Sequence, residues 1–222
     1  MPRVFAQQAG KGTGKFYERG PVRIYYQEAG SGFPLLLLPG GGLNSTIGFF
    51  TGNSPFNAIE EFKSQYRCIT ADLHNAPGGQ STGPVEVDRP WESYADDQLR
   101  LAGHLKIDRF MVMGFCIGGP FIGSLLKRAP NRIPAAVMAQ PVGWRPEMRD
   151  PKYPGAFWRN WGTTLIAKRP EITLQTTDQF VTRMFETDPD FLFSVTRDFI
   201  RSCQNPILVL PDDVPAHPLA VA

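Results

Sequence analysis

The chain has 222 residues, of which 42% are hydrophobic and 20% are charged, and its formal net charge is +2. A chain of this length can bury a core without disulfide bonds or metal sites. The near-neutral charge gives no basic surface for nucleic acid. The cysteines Cys68, Cys116 and Cys203 are too scattered for a disulfide framework, and the histidines show no metal-ligand spacing. We expect a globular protein with no metal and no cofactor.

The sequence shows no segment typical of export or of membrane insertion. Residues 1–20 lack the apolar core of a secretory signal. The apolar, uncharged run Phe110 to Leu126 is broken by several glycines and by Pro120, whereas a membrane helix needs about 20 mostly apolar residues. We therefore expect a cytoplasmic protein with no membrane partner and no nucleic-acid partner.

Strand-like and helix-like segments alternate along the first two thirds of the chain. The hydrophobic pattern predicts strands at Val22 to Glu28, Pro34 to Leu38, Tyr66 to Asp72, Arg109 to Met113, Ile133 to Ala139 and Pro206 to Leu210. It predicts intervening helices at Asn57 to Phe62, Trp91 to Leu105 and Ile117 to Lys127. This alternation is typical of a mostly parallel sheet flanked by helices.

The pattern changes after Gln140, where large aromatic residues crowd together: Trp144, Tyr153, Phe157, Trp158 and Trp161. Two helix-like stretches follow, at Glu171 to Phe185 and Asp190 to Ser202. An insertion of roughly 60 residues between two strands is too long for a simple connection. The predicted organisation is an N-terminal arm at 1–20, an α/β core at 21–142 and 203–222, and a helical cap at 143–202.

The strongest chemical signal is the string Gly114-Phe115-Cys116-Ile117-Gly118-Gly119. It follows a predicted strand and begins a predicted helix. Glycine two positions before and after Cys116 removes the Cβ atoms that a sharp strand-to-helix turn would bring into collision. Such a turn lifts the thiol clear of the sheet and directs the amides of the following helix at whatever the thiol attacks. The pattern is G-x-S-x-G with Cys at the Ser position.

This string and three others, in the same chain order, resemble the α/β-hydrolase superfamily over about residues 20–218. Pro39 to Gly42 resembles the oxyanion loop, with Pro39 at the usual His position. The loop Asp72 to Ser81 resembles D-x-x-G-x-G-x-S, and Pro206 to Asp213 resembles the late strand and the turn that carries the catalytic acid. The elbow resembles that of dienelactone hydrolases, which use a cysteine nucleophile, whereas the long cap resembles capped esterases and lactonases.

The resemblance implies a role for each matching residue. Cys116 would be the nucleophile, since a helix N-terminus stabilises a thiolate. The amides of Ile117 and of Gly41 or Gly42 would hold the oxyanion. Asp213, with Asp212 as the alternative, would be the acid that orients a histidine. Three plainer interpretations stay open: a small buried Cys116 in a tight turn, ordinary turn aspartates, and an exchange of Ser for Cys at this position.

The histidine that the resemblance requires is not evident. In the family it lies some tens of residues beyond the acid, but the sequence ends soon after Asp213. His217 lies on the same loop as Asp213 and is poorly placed, and we interpret His74 and His104 as structural or surface residues. Three explanations stay open: a chain that lacks its C-terminal strand, helix and histidine, a binding protein that has lost the base, and a cysteine that acts without one.

The expected function is hydrolysis of a carboxylic ester, lactone or thioester through an acyl-enzyme on Cys116. Most of the cap aromatics would pack the cap onto the core, and Trp144, nearest to a strand end, is the preferred wall of an apolar substrate pocket. The alternatives are acyl transfer or cyclisation and a non-catalytic ligand binder. The partner would be a small-molecule ester or lactone. The oligomeric state is open, with a homodimer as one alternative.

Overall fold

The computed structural model describes residues 14–144, 155–187 and 190–211. They include one sheet of seven strands, β1 (Lys15–Arg19), β2 (Val22–Ala29), β3 (Phe33–Leu38), β4 (Tyr66–Ala71), β5 (Met111–Phe115), β6 (Ala136–Ala139) and β7 (Ile207–Leu210). The strand order is β1-β2-β4-β3-β5-β6-β7. Strands β3 to β7 are parallel, and β2 is antiparallel to both β1 and β4. The predicted mostly parallel sheet is confirmed.

The helices of the described residues are α1 (Phe49–Gly52), α2 (Ala58–Phe62), α3 (Pro90–His104), α4 (Gly118–Arg128), α5 (Gly155–Lys168), α6 (Leu174–Val181) and α7 (Arg197–Ser202). Short 3-10 turns lie at Gly42–Asn44 and Pro130–Arg132, and a π-helix continues α6 over Thr182–Glu186. Polar side chains cap several of these helices, as Asn57 does for α2, Thr173 for α6 and Thr196 for α7.

Helices cover both faces of the sheet, which explains the nearly continuous apolar sequence of β3. Leu36 and Leu38 belong to the large core that α3 and α4 complete on one face. Leu35 and Leu37 belong to a smaller core on the other face, where Phe50 of α1 and Ala58 of α2 pack. The alternation of side chains along the strand therefore places each leucine pair in a different core.

Two predictions about the fold need correction. Residues Lys15–Arg19, assigned to an N-terminal arm, form β1, whose polar sequence hides the strand because Tyr17 alone of its side chains is buried. The helix predicted at Asp190 to Ser202 begins only at Arg197. Thr196 caps it, and the preceding segment turns through Phe193, whose φ of 59° is incompatible with a right-handed helix.

Strand β7 forms one edge of the described sheet and presents apolar side chains to solvent. Leu208 is 57% exposed and Leu210 is 43% exposed, whereas Ile207, on the other face, packs against the large core. The described residues contain no helix with the length and apolar character needed to cross a bilayer.

Candidate active site

The candidate site lies at the edge of the sheet where the parallel strands end. In open α/β sheets this edge is where ligands bind, because the loops that leave neighbouring strands meet there. The loop Pro39–Gly42 follows β3, the loop that begins at Asp72 follows β4, and Cys116 follows β5 directly. The sequence strings that we singled out are therefore neighbours in space.

Cys116 occupies a sharp turn between β5 and α4, with a φ of 52°. A non-glycine residue in this region is strained, and such residues cluster at functional sites. The two flanking glycines are sterically required. A Cβ atom on Gly114 would lie 2.8 Å from the backbone of Gly118, and one on Gly118 would lie 3.2 Å from the carbonyl oxygen of Leu38. The predicted strand–turn–helix geometry is thus present.

Backbone hydrogen bonds hold the turn on three sides. The amide of Cys116 donates to the carbonyl of Ala139 at 3.0 Å. The carbonyl of Cys116 accepts from the amides of Gly119 and Val142, both at 3.0 Å. The side chain of Cys116 is only half-buried, unlike that of Cys68, which is buried in the smaller core. The fold therefore fixes the backbone of Cys116 while leaving its thiol accessible.

Two backbone amides near Cys116 have no hydrogen-bond acceptor among the described residues, so they could bind an anion. The amides of Ile117, at the N-terminus of α4, and of Gly41 donate no hydrogen bond to any described residue. Gly40 brings the two segments together, since a Cβ atom on it would lie 3.4 Å from Cβ of Cys116. Gly41 and Gly42 have φ values of 107° and 60°, which only glycine adopts readily. The backbone at Gly40 therefore lies against Cys116, and Gly41 and Ile117 are the residues that follow these two in the chain.

Asp72 organises the loops around this edge. Its Oδ1 accepts from the amide of Ile47 at 2.9 Å, and its Oδ2 accepts from the amide of Gln80 at 2.8 Å. Burial raises the pKa of the Asp72 carboxyl, and the two amide hydrogen bonds oppose that rise. Asp72 therefore ties the segment after β3 to its own loop and acts as a structural residue.

Phe49 is a site residue that the sequence analysis missed. A Cβ atom on Gly40 would lie 2.7 Å from the Phe49 ring, so the half-buried ring and Cys116 flank the same glycine. The ring also contacts Phe115 at a centroid distance of 5.8 Å. No local pattern marks Phe49, because its proximity to Cys116 depends on how α1 packs against β5.

Trp144 is linked to the elbow through the backbone. Val142 bonds to Cys116, and two residues later the amide of Trp144 donates to the carbonyl of Phe191 at 2.9 Å. The residues that follow, 145–154, lie outside the described part of the chain. The assignment of Trp144 as a pocket wall stays a prediction.

Neither described histidine is placed as a base for Cys116. His74 is 2% exposed, and its Nδ1 bonds to the Asp97 carboxylate on α3. His104 lies at the end of α3, where its ring contacts Tyr17 at a centroid distance of 5.0 Å. The predicted acids Asp212 and Asp213, and His217, lie outside the described residues.

Comparison with solved structures supports the fold. An N-acyl homoserine lactone degrading enzyme is 24% identical, with a TM-score of 0.59 over 88% of this chain and 80% of that one. A meta-cleavage product hydrolase from Pseudomonas fluorescens is 18% identical, with a TM-score of 0.60 over 85% and 75%. A probable hydrolytic enzyme from Pseudomonas aeruginosa is 16% identical, with a TM-score of 0.62 over 88% and 71%.

A search of curated proteins by sequence finds no match. The family model of the alpha/beta hydrolase fold matches residues 34–202, which is most of the chain and includes the loop after β3 and the elbow at Cys116. The match agrees with the strand order and with the tight turn between β5 and α4. The chain therefore belongs to the α/β hydrolase fold family.

Proposed function

We propose that the chain is a hydrolase that cleaves a carboxylic ester, lactone or thioester through an acyl-enzyme on Cys116. The observation that carries this proposal is the strained, glycine-tight turn that presents a half-exposed thiol beside the amides of Ile117 and Gly41. A nucleophile and two convergent donors are the arrangement that acyl transfer requires.

The reaction would proceed in two steps. The base takes the proton of the Cys116 thiol, the thiolate attacks the carbonyl carbon, and a C–S bond forms. The carbonyl π electrons move to oxygen, where the amides of Ile117 and Gly41 would donate hydrogen bonds. The oxyanion collapses, the C–O or C–S bond to the leaving group breaks, and the leaving group takes a proton from the base. Water then adds to the thioester, and the carboxylic acid and the free thiol are released. Two such donors are typically worth about 3–4 kcal/mol each.

The acid and base of this scheme are assigned by family resemblance. Asp213, with Asp212 as its alternative, would orient the histidine that moves the protons. His74 does not fit that role, because it is 2% exposed and lines a buried cavity whose walls do not include Cys116. Two alternatives stay open for the base: a histidine outside the described residues, or a mechanism in which Cys116 acts without a histidine.

The segment between β6 and β7 would serve as a cap over the site, with Trp144 as one wall. Its described residues dock on loops at the same edge as Cys116: Trp161 donates to the carbonyl of Asn75 at 2.9 Å, and Lys168 donates to that of Pro77. One structural neighbour degrades an N-acyl homoserine lactone, which favours inclusion of lactones among the substrates. An apolar acyl or lactone group would suit the aromatic side chains nearby.

Turnover of p-nitrophenyl esters, thioesters and lactones by the wild type and two variants tests the proposal. Cys116→Ala should reduce kcat/KM at least 1000-fold, the order of loss typical when a nucleophile is removed. Cys116→Ser should retain a small fraction of the activity, because a hydroxyl needs a base more than a thiol does. Cys203→Ala, which removes another half-buried thiol, is the matched control. Unchanged turnover in Cys116→Ala would refute the proposal, and binding without turnover would favour the non-catalytic binder.

A further inference from the structure

A cavity lies between α3 and the sheet. Its walls are mainly apolar side chains, most of them from β2, β3, α3 and α4. Six polar side chains interrupt them: Ser45, Asp72, His74, Tyr94, Asp97 and Gln98. The space open to the centre of a water molecule is about 30 Å³. Cys116 does not line this cavity, so the chemistry proposed above does not account for it.

Three polar atoms of the cavity walls have no hydrogen-bond partner among the described residues. They are Nε2 of His74, the hydroxyl of Tyr94 and Oε1 of Gln98, and all three atoms are shielded from bulk solvent. His74 is 2% exposed and Tyr94 is 1% exposed. Buried polar atoms in folded proteins nearly always have a partner, so three of them around one cavity indicate that something else satisfies them.

Whether each of these three atoms donates or accepts a hydrogen bond determines which groups their partner must carry. A carboxylate can only accept, so Nδ1 of His74 donates to Asp97, and in the neutral imidazole Nε2 is then an acceptor. Oε1 of Gln98 is also an acceptor. Burial, and then the negative charge of Asp97, raise the pKa of Tyr94, so its hydroxyl stays protonated and can donate. The occupant must therefore donate two hydrogen bonds and accept one.

We propose that the cavity is an internal hydration site in which two or three water molecules bridge His74, Tyr94 and Gln98. A water molecule needs about 10–15 Å³ of such space and two to four polar partners, and this cavity meets both requirements. Water donates to Nε2 and to Oε1 and accepts from the Tyr94 hydroxyl, which satisfies all three atoms. The apolar remainder of the walls and the small volume exclude larger polar ligands.

The hydrated cluster also touches the loop that carries Gly41. Pro39 and Ser45 line the same cavity, and the Ser45 hydroxyl donates to the Pro39 carbonyl at 2.8 Å. The water molecules thus lie between α3 and the loop after β3. This assignment does not depend on any reaction at Cys116, so the two proposals can be tested separately.

Two measurements on the intact wild-type protein test the assignment. A crystal structure that resolves ordered water should show density peaks within hydrogen-bond distance of Nε2 of His74, the Tyr94 hydroxyl and Oε1 of Gln98. Heteronuclear NMR of the imidazole should find hydrogen on Nδ1 of His74 and none on Nε2. A dry cavity, an Nε2 that bonds directly to a protein atom, or a peak with the coordination of a cation beside Asp97 would overturn it.

A matched pair of variants links the water to the side chains. Tyr94→Phe removes the only donor of the three, so the Nε2 resonance of His74 should shift and Tm should fall by a few degrees. Tyr26→Phe is the control, since Tyr26 is also buried at 3% exposure but does not line the cavity. An Nε2 resonance that moves equally in both variants would contradict the bridge. If Tyr94→Phe does not fold, the electron density and the His74 tautomer of the wild-type protein are sufficient to test the proposal.

Discussion

At the scale of single residues, the site depends on backbone strain that the fold has to maintain. Cys116 has a φ of 52°, and a non-glycine residue in this region typically costs about 1–3 kcal/mol. Three backbone hydrogen bonds to β6, α4 and Val142 hold it there. The flanking glycines permit the close approach of β5 to α4. A change at either glycine therefore acts on the geometry of the thiol without touching the thiol itself.

We expect Gly114→Ala to lower stability by at least about 2 kcal/mol and to abolish activity. Its Cβ would lie 2.8 Å from backbone atoms of Gly118, which cannot move without opening the turn. Gly103→Ala is the matched control: it lies in α3, its Cβ would meet nothing within 4 Å, and it should stabilise the helix by about 0.5–1 kcal/mol. Chemical denaturation of both variants measures their free energies of unfolding. Equal stability of the two variants would contradict the steric argument.

At the scale of elements, the helices between β6 and β7 are anchored to the core by buried hydrogen bonds. The indole of Trp161 on α5 donates to the Asn75 carbonyl, and Arg169 donates to the Asn75 side chain at 2.7 Å. The indole of Trp91 on α3 donates to the Met184 carbonyl in the π-helix at 2.9 Å. These bonds fix the position of the helices over the loop that follows β4.

Trp161→Phe should destabilise the protein by about 1–3 kcal/mol, because it leaves the Asn75 carbonyl without its indole donor in a buried environment. The weakened docking should also speed limited proteolysis within residues 155–187. Leu174→Ala, at a side chain that is 64% exposed, serves as the control and should change stability by less than about 0.5 kcal/mol. Equal proteolysis rates in the two variants would show that the indole does not anchor the segment.

The elements that could be predicted from sequence are those with strong local signals. The leucines of β3 and the glycines around Cys116 mark a buried strand and a tight turn by spacing alone. Strand β1 was not predicted, because a single buried side chain gives no alternation of apolar and polar residues. The contact of Phe49 with the elbow and the pairing of His74 with Asp97 depend on tertiary packing, which no local pattern encodes.

At the scale of the whole molecule, ion pairs tie three strands at the β1 side of the sheet. The Glu28 carboxylate on β2 accepts from Arg67 on β4 and from Lys15 on β1. Burial acts to raise the pKa of Glu28, but the hydrogen bonds from Arg67 and Lys15 and their positive charges together outweigh it, so the pKa is lowered. A lowered folded-state pKa means that deprotonation of Glu28 favours the folded protein.

Glu28→Gln should therefore change how stability depends on pH. The contribution of Glu28 is present above its unfolded pKa of about 4.3 and is lost as the pH falls through its lower folded value. The variant should be less stable than the wild type by about 1 kcal/mol near neutrality, and the difference should shrink in acid. Glu60→Gln, in an exposed pair with Lys63, is the control with little effect. A Glu28→Gln deficit that persists unchanged in acid would contradict the ion-pair argument.

The most direct test of the central claim is the site of covalent acylation. The protein would be mixed briefly with an activated ester, quenched in acid and mapped by peptide mass spectrometry. We expect an acyl group in thioester linkage on the peptide that contains Cys116, which disappears with time and never forms in Cys116→Ala. Turnover with an acyl group on another residue, or with no acyl group at all, would contradict a reaction through Cys116.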